Sequence, residues 1–173
     1  MNLKPQPGPQ EKAVRCNFVD ELFFAGGRGS GKSFILCYMF LMGVEKYGEH
    51  WKGVLFRRTY PELDEIIDLT RKMYREFYPD AEYKVGSHTW VFPNGATLKL
   101  RHIENEIDAD HYQGMSFSYI AFDELGSFND LKAYNKLKAC LRSGGADVPD
   151  KKIVSSGNPG GPNHQNLKKY FID

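Results

Sequence analysis

The sequence predicts an α/β fold whose central, mainly parallel sheet is flanked by helices in three layers. Two observations carry this. Apolar runs of strand length alternate along the chain with helix-like patterns, the order expected of strand–helix–strand units. A glycine-rich turn also joins the first run directly to the first helix. Size and composition agree. The 173 residues, 41% hydrophobic and 26% charged, suit one globular domain and exclude disorder, collagen and coiled coil.

The elements follow in chain order. The first nine residues hold three prolines and no periodicity, so they predict an extended arm, with a single folded unit over residues 10–173. Residues 20–25 (DELFFA) read as a short buried strand and 26–33 as the glycine-rich turn. From Ser33 to about Lys46 the chain is apolar nearly all round, which predicts a helix buried against the sheet. Residues 53–57 (GVLFR) predict a second strand, and Pro61 suits the first turn of a helix. Leu63, Ile67, Thr70, Tyr74 and Phe77 then keep one face of that helix. Residues 89–92 and 96–103 alternate around Pro93-Asn94-Gly95, a hairpin signal in which Asn-Gly supplies positive φ angles. Residues 117–122 (FSYIAF) predict a third buried strand, and Leu131, Tyr134, Leu137 and Leu141 an amphipathic helix. Residues 152–156 complete the core strands before a short closing helix.

Composition also limits function. With 23 Lys+Arg against 22 Asp+Glu, the formal charge is +1, no footprint for tight unaided binding of nucleic acid. The longest apolar stretch, residues 34–44, falls short of the roughly 20 residues of a membrane span. Residues 1–10 carry no apolar signal segment. Cys16, Cys37 and Cys140 are odd in number and widely spaced, which reads as reduced thiols in a cytosolic protein. His111 and His164 have no metal-ligand partners at useful spacing. The pairs Lys151-Lys152 and Lys168-Lys169 read as solvated faces, and Arg57-Arg58 as structural or surface charges.

Gly26-Gly27-Arg28-Gly29-Ser30-Gly31-Lys32-Ser33 fits G-x-x-x-x-G-K-[ST], the phosphate loop. Small residues let backbone N–H groups turn inward around a phosphate, and the following helix aims its positive end at the same anion. Lys32 would reach the β and γ phosphates of a nucleotide, and the Ser33 hydroxyl would ligate Mg²⁺. A plain glycine-rich turn is the bland alternative, but the strand before it and the helix after it disfavour that. The fold class sharpens to a P-loop nucleoside triphosphatase. Such an enzyme also needs a carboxylate for the metal and a group that polarises water. Asp123-Glu124, directly after the apolar run 119–122, supplies both: Asp123 for Mg²⁺, through water, and Glu124 as the base that polarises the attacking water. This places the chain in the branch that hydrolyses ATP with a strand-borne glutamate. Asp123-Glu124-Leu125-Gly126 also fits the D-x-x-G switch of GTPases, yet Asn135-Lys136 is followed by Lys138 where guanine recognition wants Asp.

Four segments together resemble the ATPase domain of the large terminase subunit of tailed bacteriophages. They are residues 5–10 (PQPGPQ), the loop GGRGSGKS, Gln113-Gly114 followed by YIAFDELGSF, and residues 155–164 (SSGNPGGPNH). The resemblance implies a motor that uses ATP to pump double-stranded viral DNA into a procapsid, in the host cell cytoplasm. It implies a ring, usually of five subunits, on the capsid portal protein, with a small terminase subunit selecting the DNA. It implies that Gln10 reads adenine and that Arg28 senses the γ-phosphate or links the loop to neighbouring motifs. Asn158 would couple loss of the γ-phosphate to domain movement. Lys32, Arg28 and Glu124 would form the catalytic set, beside a nucleotide site of Gln10 and residues 26–33. An arginine from the neighbouring subunit would complete it, with Arg101 and Arg142 as candidates between which the sequence does not choose. The family's nuclease domain has no room before Asp173. Two other readings stay open: another P-loop ATPase acting on nucleic acid, helicase-like, or a nucleotide-binding fragment with little activity alone.

Overall fold

The computed structural model describes residues 3–144 and 146–173; Met1 and Asn2 of the expected arm lie outside them. Its strands are β1 (Glu21–Ala25), β2 (Lys52–Arg57), β3 (Glu82–Lys84), β4 (Thr89–Val91), β5 (Thr97–His102), β6 (Tyr119–Phe122) and β7 (Lys152–Gly157). They form one sheet in the order β1-β7-β6-β2-β5-β4-β3. The first five in that order run parallel, and β4 and β3 add an antiparallel edge.

Two of the inner strands, β2 and β6, read as nearly unbroken apolar runs because both faces are covered. Along β6, Tyr119 and Ala121 face one core while Ile120 and Phe122 face the other. In β2, Leu55 points to the first core and Val54 and Phe56 to the second. The first core is covered by α1 (Pro9–Arg15), α2 (Lys32–Tyr47) and α3 (Tyr60–Phe77). The second lies under α4 (Glu106–Asp110), α5 (Lys132–Lys138) and α6 (His164–Phe171). The expected three layers are therefore present.

Helix α2 is the most deeply set of the helices. Buried aromatic groups hang their polar tips on its carbonyls: Tyr119 donates to Leu36 O at 2.6 Å, Trp51 to Phe40 O at 2.8 Å and Tyr74 to Cys37 O at 3.1 Å. Each carbonyl has a second lone pair for this, so none of these three donors goes unpaired. Burial raises both phenols well above the ordinary tyrosine range, which keeps them donors. Burial likewise raises the Cys37 thiol, so it packs as an inert group. All three cysteines are free.

Several elements depart from the sequence expectation. Helix α1 has no periodicity to announce it; Pro9 occupies its first turn, where a missing N–H costs nothing. The face of α3 runs through Leu63, Ile66, Ile67, Thr70, Met73 and Tyr74, while Phe77 at its end is 43% exposed, beyond the edge of the core. At the hairpin only Gly95 takes a positive φ, at 88°. Asn94 instead uses its side chain, donating to Val44 O at 2.7 Å and accepting from the Ala96 N–H at 3.3 Å. The third strand begins at Tyr119, not Phe117, and α5 ends at Lys138, short of Leu141. Phe117 and Leu141 form a parallel bridge of their own. Lys152 is no solvated lysine: it is 2% exposed and donates to both the backbone and the side-chain oxygen of Asn17.

Candidate nucleotide and metal site

Four of the parallel strands present their carboxyl ends to one region, the usual ligand face of such sheets. There β1 ends in the glycine loop, β2 in Arg57, β6 in Asp123-Glu124 and β7 in Gly157-Asn158. An open cleft of about 480 Å³ lies here, with Arg28, Gly29, Gly31, Lys32, Ser33, Arg57 and Glu124 in its wall. The loop's fold follows from its glycines. Gly29 and Gly31 have φ of 78° and 72°, a region costly for other residues. Gly31 is also the N-cap of α2, so that helix opens directly onto the cleft. Lys32 folds back across the loop, donating to Gly27 O at 2.7 Å and reaching Ser30 Oγ at 3.4 Å.

Asp123 is fully buried, and three groups donate to it. Ser156 Oγ reaches Oδ1 at 2.5 Å. Ser33 Oγ reaches Oδ2 at 2.6 Å. Arg57, itself 5% exposed, sets both Nε and Nη2 on Oδ2 at 2.8 Å. Ser33 and Asp123 are hard oxygen donors side by side, the donor type Mg²⁺ takes. Among the described residues no three His, Cys, Asp or Glu gather to hold a metal alone. A cation here would thus need phosphate oxygens and water for its remaining ligands, the ordinary habit of Mg²⁺ in nucleotide sites. The residues fit that ion.

Glu124 sits in the left-handed region at φ 56°, ψ 46°. That conformation is costly for a non-glycine residue, and such strain clusters at functional positions. Its N–H donates to Ser156 Oγ at 3.0 Å, so one serine joins the backbone of Glu124 to the carboxylate of Asp123. Arg58 closes the turn beyond, donating to Ser127 O at 2.7 Å.

The segment after β7 presses on that same turn. A side chain at Gly161 would meet Gly126 O at 2.5 Å, which explains the glycine. The buried Asn163 donates to Leu125 O at 3.3 Å and Asp130 O at 3.1 Å. Asn158 lies against Gly126, and its Oδ1 is buried without a hydrogen-bond partner among the described residues.

Of the remaining candidates, Gln10 adjoins the loop and Arg28 belongs to it, whereas Arg101 and Arg142 lie apart from it. Gln10 is 6% exposed behind the loop, where it accepts from the Gln6 N–H at 2.8 Å and donates to Ser30 O at 3.1 Å. A side chain at Gly31 would strike its amide nitrogen at 2.3 Å. Arg28 is exposed at the rim of the cleft. Arg101 commits one guanidinium nitrogen to the carbonyls of Ser87, His88 and Leu100. Arg142 lies near the amino ends of β2 and β6, donating to Met115 O at 3.2 Å. Arg57 and Ser156 are the site residues that sequence reasoning misses. Arg57 reads in the chain as a structural or surface charge, and the only available signal is its place at the end of a core strand. Among the described residues no helix is long and apolar enough to cross a membrane.

Comparison with known proteins agrees with this fold. The family model "Terminase large subunit, T4likevirus-type, N-terminal" matches residues 23–153. A search of curated proteins finds no match. Among solved structures, the large terminase of a thermophilic bacteriophage aligns with TM-score 0.75 and 18% identity, covering 96% of this chain and 42% of that one. The same terminase in complex with ATP-gamma-S gives TM-score 0.65 and 19% identity, over 97% and 38% of the two chains. A chain of the bacteriophage Phi-29 genome packaging motor assembly gives TM-score 0.60 and 21% identity, over 91% and 48%. The chain thus spans less than half the length of these structures.

Proposed function

The chain belongs to the terminase large subunit family, and from that premise we propose that it is the ATPase motor domain of a DNA-packaging enzyme. It would hydrolyse ATP to ADP and phosphate and couple that to movement of double-stranded viral DNA into a procapsid. The observation that carries this reading is the meeting of Lys32, Ser33 and Glu124 around one cleft at the carboxyl ends of the strands, with Asp123 bonded to Ser33 behind its wall. The nucleotide-bound terminase of the thermophilic phage supports it by likeness of fold.

In this reading Gly26, Gly27, Gly29, Ser30 and Gly31 wrap the phosphates, and Lys32 leaves Gly27 O to sit between β and γ. Ser33 and Asp123 would hold Mg²⁺, and the ion would supply neutralisation of phosphate charge. Glu124 accepts the proton of the attacking water. Arg28 moves from the rim to the γ-phosphate, and Asn158 signals its loss to the segment after β7. Gln10 serves adenine recognition through its hold on the back of the loop. The ATPase unit begins with α1, whose first residue, Pro9, the sequence reading leaves in the arm, and runs to residue 173. The assembled machine is a ring, of five subunits, on the capsid portal in the host cytoplasm, supplied with DNA by a small terminase subunit.

A neighbour's arginine completes the site, Arg101 or Arg142. Both are tied to carbonyls of their own chain here, which favours a second reading for the isolated chain: it binds nucleotide and turns it over slowly. The test is specific ATPase activity against protein concentration, with and without portal and DNA. Dilute protein should run roughly 10³–10⁵-fold below the assembled rate, the range a trans arginine supplies. Full, concentration-independent turnover by a demonstrated monomer would refute the trans arginine and the motor assignment with it.

A further inference from the structure

We propose that Arg57 is a positioning residue that stands in for the divalent cation on Asp123 in the nucleotide-free site and surrenders that carboxylate when metal and nucleotide arrive. The inference rests on the nucleotide-site reading and adds to it the order in which the site loads.

A carboxylate with no exposure needs a counter-charge. Among the groups touching Asp123, two are neutral hydroxyls and the third is the Arg57 guanidinium. The guanidinium does not share the load evenly. Both of its contacts fall on Oδ2, the oxygen that Ser33 also touches, while Ser156 holds Oδ1. Oδ2, which faces Ser33, is therefore the oxygen that a cation at Ser33, or a water it carries, would meet. Oδ2 already accepts three donors, so the guanidinium competes with a cation's own water for one lone-pair region, and the two like charges repel.

The backbone around the pair is fixed, so the side chain is what moves. Arg57 ends β2 beside β6, and the Asp123 N–H donates to Phe56 O at 2.9 Å. A place for the displaced guanidinium exists in the same wall: Glu65, 76% exposed, lies 3.5 Å from Nη2. Nucleotide phosphates entering the cleft offer a second and stronger acceptor for a planar fork. Phosphate thus draws Arg57 off Asp123 as the cation takes its place. The consequence is ordered loading: the bare site resists Mg²⁺, and accepts it together with a polyphosphate.

The experiment uses the whole chain and MgCl₂ alone, without nucleotide, at constant ionic strength, with thermal denaturation as the readout. The wild type should show no Mg²⁺-specific shift. Arg57→Gln leaves Asp123 uncompensated, so it should melt lower and then rise by about 5–10 °C when Mg²⁺ reaches roughly a hundredfold over its dissociation constant. Adding Asp123→Asn should abolish that rise. If Arg57→Gln does not fold, Arg57→Lys decides, since a single ammonium cannot span the same two contacts and should yield to Mg²⁺ with a smaller positive shift. An equal Mg²⁺ response in wild type and variant, or none in the variant that folds, overturns the proposal. A separate measurement, binding of a fluorescent ATP analogue with Mg²⁺ to the wild type, tests the underlying reading; its failure would remove the nucleotide site whatever the metal titration shows.

Discussion

The two ends of the parallel strands use buried polar groups in opposite ways. At the carboxyl ends, Lys32 and Arg57 are buried yet border an open cleft, with Asp123 directly behind them, and their partners are groups that a ligand could replace. At the amino ends, Lys152 is just as buried, but it is tied to both oxygens of Asn17. Ser118 there donates to His50 O at 2.7 Å. Asp150 takes Lys46 and Tyr47 from the end of α2. One end keeps its polar groups exchangeable and the other uses them to fix the chain. The lesson is that burial of a charge does not by itself mark a functional site; what matters is whether its partner can be exchanged.

That contrast can be broken by substitutions at each end. The largest effect is expected from Glu124→Gln. It should lower turnover of the assembled enzyme by roughly 10²–10⁴-fold, the usual worth of a general base, while nucleotide affinity stays within a few-fold. Undiminished turnover would place the base elsewhere. Lys32→Ala comes next. Loss of charge-assisted bonds to phosphate should weaken Mg²⁺-ATP binding by roughly 10–100-fold, read by titration with a fluorescent analogue. Affinity near that of wild type would remove Lys32 from the site.

At the amino ends the readout changes from binding to stability. Lys152→Met strands the oxygens of Asn17 and should cost roughly 2 kcal/mol, a fall in Tm of about 4–8 °C, with nucleotide affinity unchanged. Burial holds the Lys152 ammonium below its ordinary value of 10.5. Between the lowered value and 10.5 the unfolded chain binds the extra proton, so this group favours folding more as pH rises through that window. The gap between wild type and Lys152→Met should therefore widen from neutral pH toward pH 10; a narrowing gap contradicts it. The smallest effect belongs to Asp150→Asn. The Lys46 ammonium holds the Asp150 carboxyl below its usual 3.8, so its contribution is present above that pH and is lost as pH falls through the lowered value. The pair is partly exposed, so under about 1 kcal/mol is expected at neutral pH, vanishing in acid.

Much of the molecule can be read before its structure because it rests on local rules. Strand and helix periods, the small residues of the phosphate loop and the acids following an apolar run are all written within a few residues of one another. Even there, local rules mislead where a neighbour intervenes. The Asn-Gly pair assigns Asn94 a backbone role in the turn, but the end of α2 gives its side chain a partner instead.

By itself the sequence determined the α/β class, the position of the loop at 26–33 and the acids at 123–124, since these depend on spacing and side-chain type. Tertiary structure alone decided the strand order that sets β7 between β1 and β6 and so brings Ser156 onto Asp123. It decided that Arg57 and Lys152, which look like surface charges in the chain, are buried, one against a carboxylate 66 residues away and the other against Asn17, 135 residues away. It placed α1 and Gln10 behind the phosphate loop. The physical reason is that burying a charge is tolerable only where a partner waits, and that partner comes from another strand, helix or loop that no sequence window contains.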